Sequence, residues 1–189
     1  MTTPLVVVHG TWGVTHGAFW AATSEFQNRA RQRGLDPPRE SFWWSGDLCL
    51  TDPMQWKIAG SALAWYCRAL HLEAPAAITH SHGIQVLAYA ASYGQRFSSV
   101  VDIEGPVRRD LFDVYAAAHK NLGGWLHTWN GGDAIILAGE FPVAGEATAL
   151  MPPPASNMEI PAHYGHSGLF DDLDAWDTVG LWRRLGGGA

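Results

Sequence analysis

One serine in this sequence stands where a hydroxyl could act as a nucleophile. The run Thr79-His80-Ser81-His82-Gly83 sets Ser81 between two histidines, with a glycine two residues on. A serine hydroxyl is a poor nucleophile alone. It needs a base to take its proton, and hydrogen-bond donors to hold the oxyanion that forms when it attacks a carbonyl. Two histidines late in the chain suit the base, His163 and His166 in His163-Tyr164-Gly165-His166-Ser167-Gly168, because an imidazole titrates near neutrality. Three carboxylates are candidates to orient it: Asp133 after Asn130-Gly131-Gly132, Glu104, and Glu140. Competing structural readings attach to the same residues. Ser81 and Asp133 both stand where a helix N-cap would, and Asp102, inside an apolar run, reads as a structural hydrogen-bonding group. A His163/His166 metal pair lacks acidic or cysteine partners at metal-ligand spacing.

The elements that would position these residues are legible from periodicity. Residues 5–8 are an unbroken apolar run ending at His9-Gly10, as expected of a central parallel strand buried on both faces. Residues 11–17 read as a loop and 18–33 as a helix closed by Gly34. Residues 36–38 read as a connection, 41–45 as a second strand, and 53–70 as a long helix with Pro53 in its first turn. Residues 76–79 form a third strand, and a helix over 82–93 follows at once. Further strands are expected at 99–103, 125–129 and 158–160, with helices at 110–120, 134–139 and 170–185. A proline-rich loop spans 146–156. Strands alternating with helices predict a three-layer α/β/α sandwich around a mostly parallel sheet of about six strands, in a single domain over residues 1–189. In such a sheet functional residues gather beyond the carboxyl ends of the strands. Ser81, Glu104 and Asp133 all fall there.

Composition narrows the function. A chain of 189 residues, 47% hydrophobic, can bury one sizeable core. Its net charge of −6 leaves no basic footprint for nucleic acid. Cys49 and Cys67 match no metal spacing and read as reduced thiols. No signal-like N-terminus and no span long enough for a membrane is visible, so a cytoplasmic location is expected. Ten tryptophans are a heavy aromatic load, mostly for the core. Of the aromatic residues near expected strand ends, Trp12, Trp44, Trp129 and Tyr164 are candidates to line a pocket for an apolar ligand.

The strand–turn–helix around Ser81 resembles the nucleophile elbow Gly-x-Ser-x-Gly of the α/β-hydrolase family, with Thr79 in place of the first glycine. His9-Gly10-Thr11-Trp12-Gly13 is similar to the His-Gly segment that esterases and lipases of that family carry at the end of an earlier strand. The resemblance implies the order nucleophile, acid, base along the chain, and hence Ser81, Asp133 and His166. Glu104 is the alternative acid, since some lipases of the family carry theirs at the corresponding strand end, and Glu140 is a third. It also implies an oxyanion hole from the backbone N–H groups of Thr11 and His82. The family's full sheet has two strands before the His-Gly strand, so a reduced version is expected, with little or no lid. The expected activity is ester hydrolysis through an acyl-enzyme on a small-molecule or lipid-like substrate, with no cofactor and no metal. The alternatives are amide, thioester or carbon–carbon cleavage by the same residues, or a non-catalytic binding module. Nothing in the sequence fixes an oligomeric state.

Overall fold

The computed structural model describes residues 2–10, 24–37, 42–46, 53–133, 147–148 and 150–186. Its centre is a six-stranded sheet in the order β2-β1-β3-β4-β6-β8. The strands are β1 (Thr3–Val8), β2 (Leu35–Asp36), β3 (Ala76–His80), β4 (Ser99–Ile103), β6 (Trp125–Trp129) and β8 (Ser156–Glu159). Every pairing in it is parallel. A separate antiparallel ribbon joins β5 (Val107–Arg108) to β7 (Ala147–Thr148).

The unbroken apolar run of β1 fits a strand buried on both sides. Leu5 and Val7 enter one apolar layer while Val6 and Val8 enter the other. The first layer packs α1 (Glu25–Gln32), α5 (Gly168–Asp171), α6 (Leu173–Val179) and α7 (Leu181–Arg184) on the sheet, through Phe26, Phe170, Trp176 and Trp182. The second packs α2 (Pro53–Ala69), α3 (Gly83–Ser92) and α4 (Phe112–His119), through Trp56, Leu63, Ile84 and Tyr115. The tryptophan-rich composition thus serves both layers of an α/β/α sandwich.

Local chemistry sets the ends of these elements. Ser24 caps α1, its hydroxyl accepting from the Gln27 N–H at 3.2 Å, and Gly34 leaves the helix at φ +79°. The helix expected over 170–185 is instead α5, α6 and α7. Asp172 interrupts it by capping the Ala175 N–H, and Gly180 interrupts it again in the left-handed conformation at φ +76°. The strand expected at 41–45 is also corrected. Phe42 and Trp44 are buried and Trp43 is exposed, the alternation of a strand, but residues 42–46 join no ladder. Trp44 is held by side-chain bonding instead, and the strand next to β1 is Leu35–Asp36, which overlaps at Asp36 what reads as a connection. The expected loop at 146–156 contains β7. The expected helix at 134–139, Glu140, and residues 18–23 of the first helix lie outside the described residues.

Strand order reverses at β1. The chain runs outward from β1 to β2, then returns to the other side of β1 for β3 and continues in that direction. The switch point falls between β1 and β3, so their carboxyl ends open onto the crevice where ligands of such sheets bind. His9-Gly10 and Ser81 occupy those two ends. Among the described residues no helix is long and apolar enough to cross a membrane.

Candidate active site

Ser81 stands between β3 and α3 in the left-handed conformation, φ +52°. That backbone costs an L-residue about 1–2 kcal/mol, and strain of this kind collects at functional sites. Two glycines make room for the turn. A Cβ on Gly83 would lie 2.3 Å from the Val8 carbonyl oxygen, and one on Gly10 would lie 2.5 Å from Ser81 Cβ. The strand end carrying His9-Gly10 and the elbow therefore touch backbone to backbone.

The loop that carries His166 follows β8. A short turn at Ala162–Tyr164 leads to Gly165 at φ +57°, ψ −144°, a combination open essentially to glycine alone. His166 comes next. Its Nε2 is 2.8 Å from Ser81 Oγ, and its Nδ1 is 2.8 Å from Asp133 Oδ2. A carboxylate only accepts, so Nδ1 carries the proton and donates it to Asp133. That leaves the Nε2 lone pair to accept from the serine hydroxyl, the tautomer a general base needs. Asp133 is fully buried, and the His166 side chain is 23% exposed.

Glu104 is fully buried at the end of β4, at φ +53°. Its Oε1 accepts from Asn130 Nδ2 at 2.7 Å. Burial, and then the charge of Asp133, pushes its carboxyl up to about 8. At neutral pH Glu104 is therefore an uncharged acid beside Asp133, and the carboxylate bonded to His166 is Asp133.

The remaining candidates are placed as follows. His82 follows Ser81 as the N-cap of α3, with its ring stacked on Trp56 at 5.6 Å. His9 receives the Trp44 N–H on Nε2 at 3.4 Å, so its Nδ1–H donates to the Gly10 carbonyl at 2.7 Å. Trp44 stacks on that ring and donates from its indole to the His9 carbonyl at 2.8 Å, so it braces β1 from within the apolar layer. Trp129 and Tyr164 are half-buried on the strand and loop that lead to Asp133 and His166. His163 packs against the Tyr164 ring. Thr11 and Trp12 lie outside the described residues. Among the described residues no group of three or more His, Cys, Asp or Glu side chains is arranged to hold a metal ion.

Two residues escaped sequence reasoning, and a third, Asp102, was read only as a structural hydrogen-bonding group without its partners. Asn130, read only as part of a strand-ending turn, is 1% exposed and bonds to three chain segments. His80 fixes the base loop from the other side, its Nε2 3.0 Å from the His166 carbonyl. Beneath the elbow, Asp102 accepts from Thr79 Oγ1 and bonds His127 Nδ1, both at 2.6 Å and wholly buried. The hydrogen bonding expected of Asp102 is thus found, while its partners Thr79 and His127 gave no signal beyond their polar character within apolar strands.

No protein-family model matches the sequence, and no curated protein matches it. Solved structures do resemble it in three dimensions. A predicted CIB-like hydrolase from Thermoplasma acidophilum superposes with a TM-score of 0.61 at 13% identity, covering 97% of this chain and 86% of its own. A structure from work on carboxylesterases of Nitrososphaera gargenis gives 0.60 at 12% identity, covering 98% and 91%. A mature lipase of Bacillus licheniformis gives 0.54 at 14%, covering 94% and 91%. With the six-stranded sheet flanked by helices, these likenesses show that the chain has the α/β-hydrolase fold.

Proposed function

We propose that this protein is a serine hydrolase cleaving carboxylic esters through an acyl-enzyme. The observation that carries the reading is the hydrogen-bonded series Asp133–His166–Ser81 at the carboxyl ends of β6, β8 and β3. Ser81 Oγ attacks the ester carbonyl as His166 Nε2 takes its proton. The imidazolium returns that proton to the departing alcohol, and water then releases the acid by the same steps in reverse order. Asp133 holds the Nδ1–H tautomer and offsets the imidazolium charge. By the resemblance, the N–H groups of Thr11 and His82 are the proposed donors to the oxyanion, and Trp129 and Tyr164 are proposed to line the acyl side. Supporting the ester assignment, the structural neighbours include a carboxylesterase study's structure and a lipase. The chemistry needs no cofactor.

A fluorophosphonate probe tests this directly. The wild type becomes labelled and Ser81→Ala does not. Nitrophenyl esters of short and long acyl chains, beside a matched anilide, then separate ester from amide cleavage. A wild type that neither reacts with the probe nor turns over any ester overturns the assignment.

A further inference from the structure

The geometry points to Asn130 as the residue that positions both the acid and the base, an inference that rests on the serine-hydrolase reading above. Asn130 immediately follows β6, and its side chain is buried. Nδ2 donates to Glu104 Oε1 at 2.7 Å and to the Gly165 carbonyl at 2.7 Å, while Oδ1 accepts from the Gly132 N–H at 2.9 Å. Both amide hydrogens and the amide oxygen are thus used, on three separate segments of chain. A flipped amide would set its oxygen against the Gly165 carbonyl and its NH2 against the Gly132 N–H, so the network fixes one orientation.

Each bond aims a residue of the hydrolytic set. The bond to the Gly132 N–H, with the Asp133 N–H donating to the Asn130 carbonyl at 3.4 Å, shapes the turn that presents Asp133. The bond to the Gly165 carbonyl holds the loop one residue before His166, at a backbone conformation only glycine adopts readily. Asp133 and His166 come from loops far apart in sequence, yet their 2.8 Å contact depends on both being referred to one side chain. Glu104 completes the device from below. It gives Asn130 an acceptor, and as an uncharged acid it does so without placing a second full charge beside Asp133.

Two substitutions separate positioning from simple cohesion. Asn130→Asp keeps the shape and the acceptor for Gly132 but turns both donor positions into acceptors, and Asn130→Ala removes the group. Positioning predicts that kcat for a nitrophenyl ester falls about 10–100-fold in both while KM stays within about twofold, the misplacement of reacting groups being costly to turnover. Glu104→Gln, which preserves an oxygen for Nδ2, retains most of the turnover, and Glu104→Leu loses part of what Asn130→Ala loses. Proton NMR supplies a readout independent of turnover. The low-field His166 Nδ1–H resonance is present in the wild type and in Glu104→Gln, and is shifted or broadened away in Asn130→Asp. If Asn130→Ala and Asn130→Asp keep kcat within threefold and leave that resonance in place, the inference fails. Should an Asn130 variant not fold, the Glu104→Gln and Glu104→Leu pair decides by the same two readouts, equal behaviour of the two overturning it. Should the wild type turn over no ester and take no fluorophosphonate, the function assigned above fails, and the resonance alone still decides the role of Asn130.

Discussion

Asp133 and Glu104 are neighbouring buried carboxyl groups with different partners, and burial keeps Glu104 uncharged at neutral pH. Replacing Asp133 by Asn removes a carboxylate that lies 2.8 Å from His166 Nδ1. Unit charges about 4 Å apart at an effective dielectric near 20 attract by about 4 kcal/mol, which is roughly a thousandfold in rate if felt only once the imidazolium forms. The asparagine NH2 facing Nδ1 also favours the tautomer with its proton on Nε2, where it cannot accept from Ser81. In serine triads the equivalent change costs about 10⁴ in kcat, so under the proposed function a loss of about 10³–10⁴ is expected. Glu104→Gln at pH 7 replaces one uncharged group by another and keeps the acceptor for Asn130. Its expected loss is no more than about threefold, since no charge next to His166 changes. The assay is kcat for a short-chain nitrophenyl ester at pH 7, with melting temperatures recorded to show that each variant is folded. If Glu104→Gln collapses turnover while Asp133→Asn leaves it nearly intact, the assignment of the acid is wrong.

Stability should also report the state of Glu104. Its carboxyl sits near 8 in the fold against 4.5 unperturbed. The unfolded chain therefore binds fewer protons between those values, and stability contributed by this group is full below about pH 4.5 and lost as pH rises to about 8. The melting temperature of Glu104→Gln relative to wild type should accordingly rise between pH 5 and 9, and a flat difference would contradict the burial argument. Gly83→Ala forces a Cβ to 2.3 Å from the Val8 carbonyl oxygen, a clash between two backbones. Overpacking of this order costs about 1–3 kcal/mol and should lower the melting temperature by several degrees in a thermal scan; an unchanged value would refute it. Cys67 is fully buried with its thiol pushed up to about 12, so in a Cys49→Ser background the native protein should resist iodoacetamide at pH 8 and react once unfolded.

Much of the fold was legible because burial and periodicity coincide. The strands at 99–103 and 125–129 begin and end as the apolar runs do, and the helix after Ser81 starts where the elbow requires. What misled at 41–45 was a genuine alternation of buried and exposed aromatics, held by bonds that each use a side chain, the Trp44 indole on the His9 carbonyl and the His9 ring on the Trp44 N–H, and not by a backbone ladder. A local pattern records which side chains face inward and says nothing about who accepts the amide protons. The final helical stretch failed for a related reason, because the capping role of Asp172 and the left-handed Gly180 override an otherwise suitable apolar spacing. At the site, the resemblance to the family's elbow and chain order pointed to Ser81, His166 and Asp133, and the fold brings these three side chains within hydrogen-bonding distance. Asn130 and His80 were not readable, since both act on carbonyl groups of a distant loop and a carbonyl leaves no trace in sequence.

Thr79 shows how a departure from a familiar pattern can be a compensation. Where related elbows have a glycine, its hydroxyl donates to Asp102, which also bonds His127. The three residues lie directly opposite one another across β3, β4 and β6, in the second apolar layer. Burying such a carboxylate is tolerable only with its lone pairs satisfied, and Gly105 makes room for it, because a Cβ there would come within 2.5 Å of both Asp102 oxygens. The row thus ties three strands in register just below Ser81, Glu104 and Asn130. Restoring the glycine should therefore harm the protein. Thr79→Gly leaves Asp102 Oδ1 without its donor, a loss of about 1–3 kcal/mol, and adds the backbone freedom of glycine within a strand, about 0.5–1 kcal/mol more. Thr79→Val keeps the shape and should lose only the first of these, while Thr79→Ser keeps the hydroxyl and should remain within about 1 kcal/mol of wild type. Denaturant unfolding of the three variants orders them. A Thr79→Gly protein as stable as the wild type would mean that the hydroxyl merely fills space, and that Asp102 is satisfied without it.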